Sequence, residues 1–263
     1  MIILKSEEEI QAIRKSSLIV AKVLADLEQM VEPGISTKEL DAFAEKKAKE
    51  MGAIPAFKGY RGYPASLCTS INEEIIHGIP SSRVLKKGDI VSLDFGVIYN
   101  GYYGDAAVTY PVGDITPEAT ALIDAAKQSF FKGFEQVREG SRISDISHAI
   151  QKYIEARGFS VIRSFVGHGV GLSLHEEPQI PNFGSPGVGP KIKKGMVLAI
   201  EPMIAAGDWN VEIREDSWTA VTKDRSLSSH YEHTVALTQK GAEILSLWDE
   251  EEDLSFVKEL PHA

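Results

Sequence analysis

The stretch that decides the fold occurs twice in this chain. Residues 86–94 read KKGDIVSLD, and residues 193–201 read KKGMVLAIE. When the two copies are aligned, Asp94 stands over Glu201, and each acid follows an apolar run typical of a buried strand. We interpret the match as an internal duplication in which each half of the protein contributes one carboxylate at the same position.

The duplication extends beyond these two copies. Upstream, glycines bracket a helical pattern at residues 34–52 and again at residues 140–158. Downstream, a second acid follows each copy on a strand-like run, Asp105 in YGDAAV and Glu232 in YEHTV. If a pseudo-twofold fold brings the halves face to face, four carboxylates gather in one place, where their mutual repulsion requires cations. The duplication therefore predicts a metal site.

The order of helical and strand-like patterns also repeats. Helix-capping signals occur at Ser6, Ser36 and Thr116, and Asn100-Gly101 marks a hairpin turn between two strands. The predicted helices cover residues 6–31, 37–51, 116–137 and 144–157. The predicted strands cover residues 66–70, 90–99, 103–112, 160–166, 196–205, 211–213, 217–222 and 231–238.

Helices that are segregated from a mostly antiparallel sheet make the predicted fold class α+β. We expect a single catalytic domain over residues 1–263, with internal halves at roughly 6–113 and 116–245 and a C-terminal tail at 246–263. The segment 178–190 contains four prolines and three glycines, so we expect it to be a loop.

Composition limits the class of protein. The 263 residues are 43% hydrophobic, enough to bury a full core. With 28 basic and 38 acidic side chains the net charge is −10, which argues against nucleic acid as a partner. A single cysteine, Cys68, excludes an internal disulfide and suits a reducing compartment. With no apolar run long enough for a signal peptide or a membrane span, we expect a cytoplasmic protein without a membrane partner.

His168 supplies the nitrogen that completes the predicted metal site. It lies in GHGVG just after a strand-like run, where we expect the glycines to let the backbone turn and keep the imidazole accessible. Together with the four acids it makes five candidate ligands, and four negative charges balance two divalent cations. Such an oxygen-rich site suits Mn, Fe(II), Co or Zn. Two neighbouring ions can activate water and polarise a carbonyl, so the predicted chemistry is hydrolysis.

Other interpretations of these residues stay open at this stage. Taken singly, Asp94 and Glu201 are each more often a turn or capping acid than a metal ligand, and Arg214 or Arg225 could neutralise a buried acid through a salt bridge. A mononuclear zinc site fits poorly because one histidine and four acids supply too much negative charge. The glycines of residues 167–171 lack the spacing of a nucleotide-binding loop.

Further residues are candidates for substrate binding. His77 and His175 each lie in a predicted loop after a strand, where they could hydrogen-bond a substrate amide and a developing oxyanion, although most loop histidines are plain surface residues. Three aromatic residues and the cysteine could line an apolar pocket, although core packing is the commoner reason for aromatics in strands: Tyr60, Tyr63, Trp218 and Cys68.

With these residues in hand, the chain resembles a type I methionine aminopeptidase. The matching segments run from the first helix to about residue 245: FKGYRGYP at 57–64, SINE at 70–73, HGIP at 77–80, LD at 93–94, YGD at 103–105, GHG at 167–169, HEEP at 175–178, IEP at 200–202, KDRS at 223–226 and YEHT at 231–234. The resemblance implies a two-halved pita-bread fold and a dinuclear metal centre. It also implies removal of the initiator methionine from new polypeptides when the next residue is small.

The resemblance also implies a role for each site residue. Asp94 would chelate one ion, His168 would complete the other, and Asp105 and Glu232 would bridge the two. Glu201 would be both a ligand and a proton shuttle.

Roles in substrate binding follow in the same way. His77 would contact the amide nitrogen and His175 the carbonyl oxygen of the substrate. The family resemblance places a monovalent cation near Asn72 and Ser228. It implies a methionine pocket, in which an unbranched thioether fits a flexible apolar slot, formed by Tyr60, Tyr63, Cys68, Leu174 and Trp218. The expected partner is the N-terminal methionine of nascent polypeptides, with a transient ribosome contact and a monomeric state.

Three positions depart from the family pattern. Phe57 stands where some relatives have a second cysteine, Leu174 replaces an aromatic, and Ala106 follows Asp105 where many relatives have threonine. Two rival functions share the same ligands or cleft: a prolidase-like or aminopeptidase P-like enzyme, and a non-catalytic module that holds peptide termini. The first usually has an extra N-terminal domain, and the second is expected to lose ligands, whereas all five are present here. The short type I form fits better than type II.

Overall fold

Three of the four helices in the described residues begin at a side-chain cap that the sequence supplies, at Ser6, Ser36 and Thr116. In the computed structural model, which describes residues 1–247, Ser6 Oγ accepts from Glu9 N (3.3 Å), and Glu9 Oε2 accepts from Ser6 N (2.7 Å). Ser36 and Glu39 repeat this capping box. The predicted helices are confirmed, and each ends one to three residues before its predicted C-terminal residue: α1 (Glu7–Glu28), α2 (Thr37–Glu50), α3 (Pro117–Phe134) and α4 (Ile143–Glu155).

Strands and one short 3-10 helix at Tyr60–Gly62 make up the rest of the regular structure in residues 1–247. The strands are β1 (Ile54–Pro55), β2 (Leu67–Ile71), β3 (Glu74–Ile76), β4 (Ile90–Tyr99), β5 (Tyr102–Pro111), β6 (Ser160–Val161), β7 (Val166–Gly169), β8 (Glu176–Pro181), β9 (Val197–Ile200), β10 (Met203–Ala205), β11 (Val211–Ile213), β12 (Ala220–Thr222), β13 (Ser228–His230), β14 (Glu232–Leu237) and β15 (Ala242–Ile244).

One antiparallel sheet runs through both halves of the chain. Its strand order is β1-β4-β5-β14-β9-β7-β8, with β2 also paired to β4 and β15 to β14. Two three-stranded sheets, β13-β10-β6 and β11-β12-β3, flank it. At the centre, β5 of the first half pairs with β14 of the second. The antiparallel pairs β4-β5 and β9-β14 therefore meet in the order β4-β5-β14-β9, which is the arrangement that a pseudo-twofold duplication predicts.

The duplication is visible in individual hydrogen bonds. Gly34 N donates to Leu85 O (2.9 Å), and at the corresponding positions Gly140 N donates to Ile192 O (3.0 Å). In the reverse direction, Leu85 N donates to Ile35 O (2.8 Å), and Ile192 N donates to Ser141 O (2.7 Å). In each half, the same two backbone hydrogen bonds connect the start of the helical repeat to the segment before the acid-bearing strand.

Helices cover the sheet in pairs. Helices α1 and α2 pack on the first half through a core that includes Leu24, Leu40 and Phe95. Helices α3 and α4 pack on the second half through a core that includes Phe130 and Ile146. At roughly 25 cal/mol per Å² of apolar surface removed from water, these two cores are the main favourable contribution to folding. They hold the central strands that carry the four acids.

Some predicted boundaries are wrong for identifiable reasons. The single strand expected at 196–205 is split into β9 and β10, because Pro202 has no N–H to continue the ladder. The strand expected at 160–166 is likewise two strands, β6 and β7. The segment 178–190 is not entirely a loop, since β8 reaches Pro181; β8 lies at the sheet edge, where proline is tolerated. His168 lies within β7 and not after it.

The helices and the start of the predicted C-terminal tail bear on two further predictions. None of the helices in residues 1–247 is both long enough and apolar enough to cross a membrane. Most of the predicted tail, including the acidic run from Asp249, lies outside the described residues. Ser246, at the start of that tail, is buried and its Oγ lies 2.9 Å from His233 Nδ1. The proposed boundaries of the halves and tail stay predictions.

A buried ion pair connects the N-terminal segment to the first residue of β8. Lys5 Nζ pairs with Glu176 Oε2, and the two side chains are only 2% and 6% exposed. The other oxygen of Glu176 accepts hydrogen bonds from Leu172 N (2.8 Å) and Ser173 N (3.2 Å). Glu176 therefore organises the loop that carries His175, and it does so with its charge balanced by Lys5.

We expect Lys5→Met to destabilise the protein by about 3–5 kcal/mol, because it leaves the Glu176 carboxylate buried without its cation. The matched control is Lys87→Met, which breaks a pair with Asp114 whose side chains are 65% and 90% exposed. That exposed pair contributes at most about 1 kcal/mol. Urea unfolding of both variants measures the difference, and equal losses would contradict the structural importance of the buried pair.

Candidate metal centre

The register of four neighbouring strands places all the predicted acids on one face of the sheet. Asp94 on β4 lies opposite Ala107 on β5, and Ala107 in turn lies opposite Glu232 on β14. Asp105, two residues before Ala107 on β5, points to the same side because side chains alternate along a strand. Ile200 lies opposite His233, so Glu201, one step further along, falls beside Glu232 on this face.

The imidazole of His168 joins the same face from β7. His168 lies opposite Ala199, which is two residues before Glu201 and so shares its side of β9. Its Nδ1 lies 3.0 Å from Gly169 O, which makes Nδ1 the donor and leaves the Nε2 lone pair directed at the acids. This tautomer is the one a metal ligand requires.

The glycines on either side of His168 allow close strand packing and do not form the turn that the sequence predicts. They do not turn the chain, since both lie in β7. A Cβ at Gly167 would stand 2.4 Å from Ala199 O, and a Cβ at Gly169 would stand 2.4 Å from Glu177 O. Only glycine lets β8 and β9 approach β7 this closely, and that approach brings His168 beside Glu201.

Distances between the donor atoms fit metal binding. His168 Nε2 lies 3.9 Å from Asp105 Oδ2 and 3.5 Å from Glu201 Oε1. Ligand bonds of about 2.1 Å place two donors of one ion no more than about 4.2 Å apart. Asp105, His168 and Glu232 form one group whose donor atoms all lie within 4.8 Å of one another, and Glu232 also belongs to a second such group with Glu201 and His230.

Several buried oxygens at the centre have no protein partner. Asp94 Oδ1, Asp105 Oδ1 and Glu232 Oε1 are enclosed and accept no hydrogen bond from the described residues. An unpaired buried carboxylate oxygen is costly, and native proteins normally satisfy it. Oxygen and nitrogen donors gathered without partners are the donor set that divalent ions bind, so the residues fit a metal centre.

The raised pKa values of the four acids also indicate a metal site. Burial raises the pKa of Asp94, and burial together with the neighbouring carboxylates raises the pKa of Asp105 and Glu232 well above the ordinary range. Burial and Asp94 do the same to Glu201. The four groups therefore cannot all be ionised side by side unless a cation is close to them.

The alternative of a salt bridge to arginine is wrong. Arg214 pairs with Glu73 (2.8 Å) and Glu74 (2.6 Å), and Arg225 pairs with Glu212 (3.0 Å). Both guanidinium groups are therefore engaged away from the centre. Among residues 1–247, the basic side chains within 4.0 Å of Asp105, Glu201 and Glu232 are His168 and His230. Burial lowers the pKa of both imidazoles to about 3, so both are neutral at pH 7.

Two more histidines face the cavity above the acids. His77 follows β3 with a left-handed φ of 59°, and its ring meets Trp218 edge-on at 6.1 Å. A non-glycine residue held in this region stores strain, which is common at functional sites. Burial, then His175, lowers the pKa of His77 to about 4, so the ring is neutral at pH 7.

His175 stands at the mouth of the cavity. Its ring stacks on Tyr60 at 5.3 Å, and its Nδ1 lies 2.8 Å from the Tyr60 hydroxyl. If that hydroxyl donates to Nδ1, the proton of the neutral ring is on Nε2. Burial, followed by the charge of Arg61, lowers the pKa of His175 to about 4. His175 can therefore donate an N–H to an acceptor in the cavity at neutral pH.

An apolar pocket adjoins the acids. Cys68 on β2 lies directly opposite Asp94, and the Tyr63 ring meets the Trp218 ring edge-on at 5.1 Å. Tyr63 is fixed by a hydrogen bond from its hydroxyl to Gly78 O (2.9 Å). All the predicted metal, histidine and pocket residues line this one cavity: Tyr60, Tyr63, Cys68, His77, Asp94, Asp105, His168, Leu174, His175, Glu201, Trp218 and Glu232.

The cavity includes residues that sequence reasoning missed. Phe57, noted only as a departure from the family pattern, lines the pocket, and its ring occupies the space that a Cβ at Gly96 would need (2.7 Å). Ile76 and His230 also line it. The signal for His230 was its position two residues before Glu232, on the same side of an extended segment.

The expected monovalent-cation region lies apart from the acids. Ser228 N donates to Asn72 O (2.8 Å), so the two residues are adjacent. The Asn72 side chain is engaged in the protein: its Nδ2 donates to Asp89 (2.9 Å), and its Oδ1 accepts from Ile90 N (3.0 Å). The Ser228 hydroxyl donates to Ile204 O (2.8 Å), which leaves its oxygen lone pairs free of that bond.

Comparison with known proteins agrees with this geometry. A profile described as metallopeptidase family M24 matches residues 11–239. The methionine aminopeptidase of Clostridium acetobutylicum is 54% identical over 248 residues, which are 94% of this chain and 99% of that protein. Methionine aminopeptidase 1 of Bacillus subtilis is 52% identical over 246 residues, with the same shares covered.

Solved structures show the same relationship. A methionine aminopeptidase from Thermotoga maritima matches with a TM-score of 0.93 and 46% identity over 94% of this chain and all of that one. Prolidase from Pyrococcus furiosus has a TM-score of 0.75 and 25% identity over 94% of this chain, which spans 66% of the prolidase. The predicted α+β pita-bread fold is confirmed. The chain belongs to metallopeptidase family M24, and within it to the methionine aminopeptidases.

Proposed function

We propose that this chain is a metal-dependent aminopeptidase that removes the N-terminal methionine from polypeptides whose second residue is small. The observation that carries the proposal is the buried group of four carboxylates and His168, with unpartnered oxygens, at the base of an apolar pocket. Relatives at 52% and 54% identity that are named methionine aminopeptidases support the substrate.

The acids and His168 would hold two divalent ions. Four carboxylates balance the charge of two ions, and Glu232 belongs to both groups of closely spaced donors, which supports a bridging role. Asp105 is the second bridging candidate, Asp94 would bind one ion, and His168 the other. When bound, such a pair lowers the pKa of water and polarises the scissile carbonyl. Co, Mn, Fe(II) and Zn all suit this donor set.

The chain's own residues would position the substrate and move protons. His77, neutral at pH 7, would contact the amide nitrogen, and His175 would donate its N–H to the carbonyl oxygen as negative charge develops there. Glu201 would accept a proton from the attacking water and pass it to the departing amine, because its carboxylate lies at the centre, 3.5 Å from His168 Nε2.

The pocket would select methionine by shape and polarity. Its wall is apolar and largely buried: Phe57, Tyr63, Cys68 and Leu174 are each at most 7% exposed. Burial also raises the pKa of Cys68 well above its ordinary value, so the thiol contributes no charge. An unbranched thioether side chain fits such a wall without burying a polar group.

Peptide hydrolysis tests the proposal. We expect the protein, stripped of metal and reloaded with Mn, Fe(II), Co or Zn in turn, to release methionine from Met-Ala-Ser. We expect it to be much slower on Xaa-Pro peptides, and elemental analysis should find two ions per chain. Faster Xaa-Pro cleavage without a methionine preference would establish the prolidase-like alternative.

The ligand variants separate an enzyme from a peptide-holding module. Asp94→Asn and His168→Gln each remove one donor, and we expect both to lose metal and most activity. A matched control is Asp89→Asn, a nearby acid whose carboxylate accepts from Lys86 N and Asn72 and takes no part in the centre. Full turnover in both ligand variants would refute the metal role.

We expect His175→Ala to lower kcat by about 10²–10³-fold, the usual effect of removing one donor to a developing oxyanion. Metal content should stay unchanged, because His175 is not among the closely spaced donors. Tyr60→Phe, which removes only the hydroxyl 2.8 Å from His175 Nδ1, should have a smaller effect. Steady-state kinetics and elemental analysis make the test; an unchanged kcat in His175→Ala would show that His175 does not assist the reaction.

The remaining expectations concern partners. The proposed substrate is the N-terminal methionine of nascent polypeptides, with a transient ribosome contact, in a monomeric cytoplasmic enzyme. A monovalent cation near Asn72 and Ser228 is a further part of the proposal.

A further inference from the structure

One histidine of the cavity has no place in the roles given above. His230 ends β13, is 1% exposed, and lines the same cavity as the four acids. Neither of its ring nitrogens has a hydrogen-bond partner among residues 1–247. An unsatisfied buried polar group destabilises the folded state, and native structures normally avoid it. The position therefore indicates a ligand that the protein atoms do not supply.

A second buried histidine in the same segment shows the contrast. His233 Nδ1 lies 2.9 Å from Ser246 Oγ, and its Nε2 lies 2.9 Å from the Tyr231 hydroxyl. Both nitrogens are satisfied, as expected of a histidine that only supports the core. His230, three residues earlier, shares the burial but has none of these bonds.

The distances around His230 match those around His168. Its Nε2 lies 3.7 Å from Glu201 Oε2 and 3.8 Å from Glu232 Oε2. Both separations are too long for hydrogen bonds but lie within the roughly 4.2 Å that two ligands of one ion can span. Glu201, His230 and Glu232 form a group whose donor atoms are all within 4.8 Å of one another.

We propose that His230 is a further ligand of the metal centre. Its imidazole would supply a second nitrogen donor beside Glu201 and Glu232. The inference rests on the proposed dinuclear centre and extends it. A neutral imidazole adds a donor without disturbing the charge balance between four carboxylates and two divalent ions. It also shifts the centre toward metals that bind imidazole well, such as Zn and Fe, and away from Mg or Ca.

His230 should bind more weakly than His168. The His168 ring is oriented by the contact of its Nδ1 with Gly169 O (3.0 Å), whereas the His230 Nδ1 has no such partner in the described residues. Orienting partners of this kind are worth about 10–100-fold in metal affinity. We therefore expect the loss of His230 to cost less affinity than the loss of His168.

Counting the imidazoles on the metal tests the proposal. The full-length protein is stripped with a chelator and loaded with Mn(II), and pulsed electron paramagnetic resonance then detects the coordinated imidazole nitrogens. We expect two coordinated imidazoles per chain, summed over both ions, in the wild type and one in His230→Gln. Calorimetric titration should show that His230→Gln weakens the binding of one ion by about tenfold or more. His233→Gln, the control from the same segment, should keep two imidazoles.

Each other outcome has one meaning. A single imidazole in the wild type, or an unchanged count in His230→Gln, overturns the proposal. If His168→Gln weakens metal binding and His230→Gln does not, only this inference fails. If neither variant alters metal binding, the proposed metal centre fails as well. Circular dichroism of the metal-free variants checks folding, and His230→Ala replaces His230→Gln if the glutamine does not fold.

Discussion

The antiparallel pairing of β5 with β14 is the contact on which the rest of the structure depends. It joins the two halves of the duplication, and it sets Glu232 opposite Ala107, which faces Asp94 on its other side. The small side chain at position 107 leaves the space between the two carboxylates open. A shift of one residue in this register would turn every acid of one half to the opposite face. One strand pairing therefore determines whether a metal centre exists.

The centre is the place where the chain departs from the rules that stabilise the rest of it. Elsewhere, helices are capped, apolar residues fill two continuous cores, and buried charges such as Lys5 and Glu176 are paired. At the centre, carboxylate oxygens are enclosed without partners. Such local conflict is expected at functional sites, where the surrounding structure must offset it. Ions that bind only the folded state would remove the conflict and add to stability by mass action.

Much of this architecture could be predicted from the sequence, because repeated signals act locally. The capping boxes of Ser6 and Ser36 and the turn at Asn100-Gly101 lie where the sequence predicts them. The errors arose where tertiary context decides. Pro202 divides a continuous apolar run between two sheets, and an edge position lets β8 form in a proline-rich segment. His230 was overlooked because a lone histidine carries no signal until its spacing from Glu232 is considered.

The acids were easier to predict than the pocket for a physical reason. A carboxylate that directly follows a buried apolar run has few explanations, since burying it without a partner is costly, and a second copy at the same position excludes most of them. An aromatic residue in a buried segment needs no explanation beyond core packing. Tyr63 and Trp218 lie far apart in the sequence, and only the assembled fold brings their rings to 5.1 Å. Residues whose burial is unfavourable thus reveal a site from the sequence, whereas residues whose burial is favourable do so only in three dimensions.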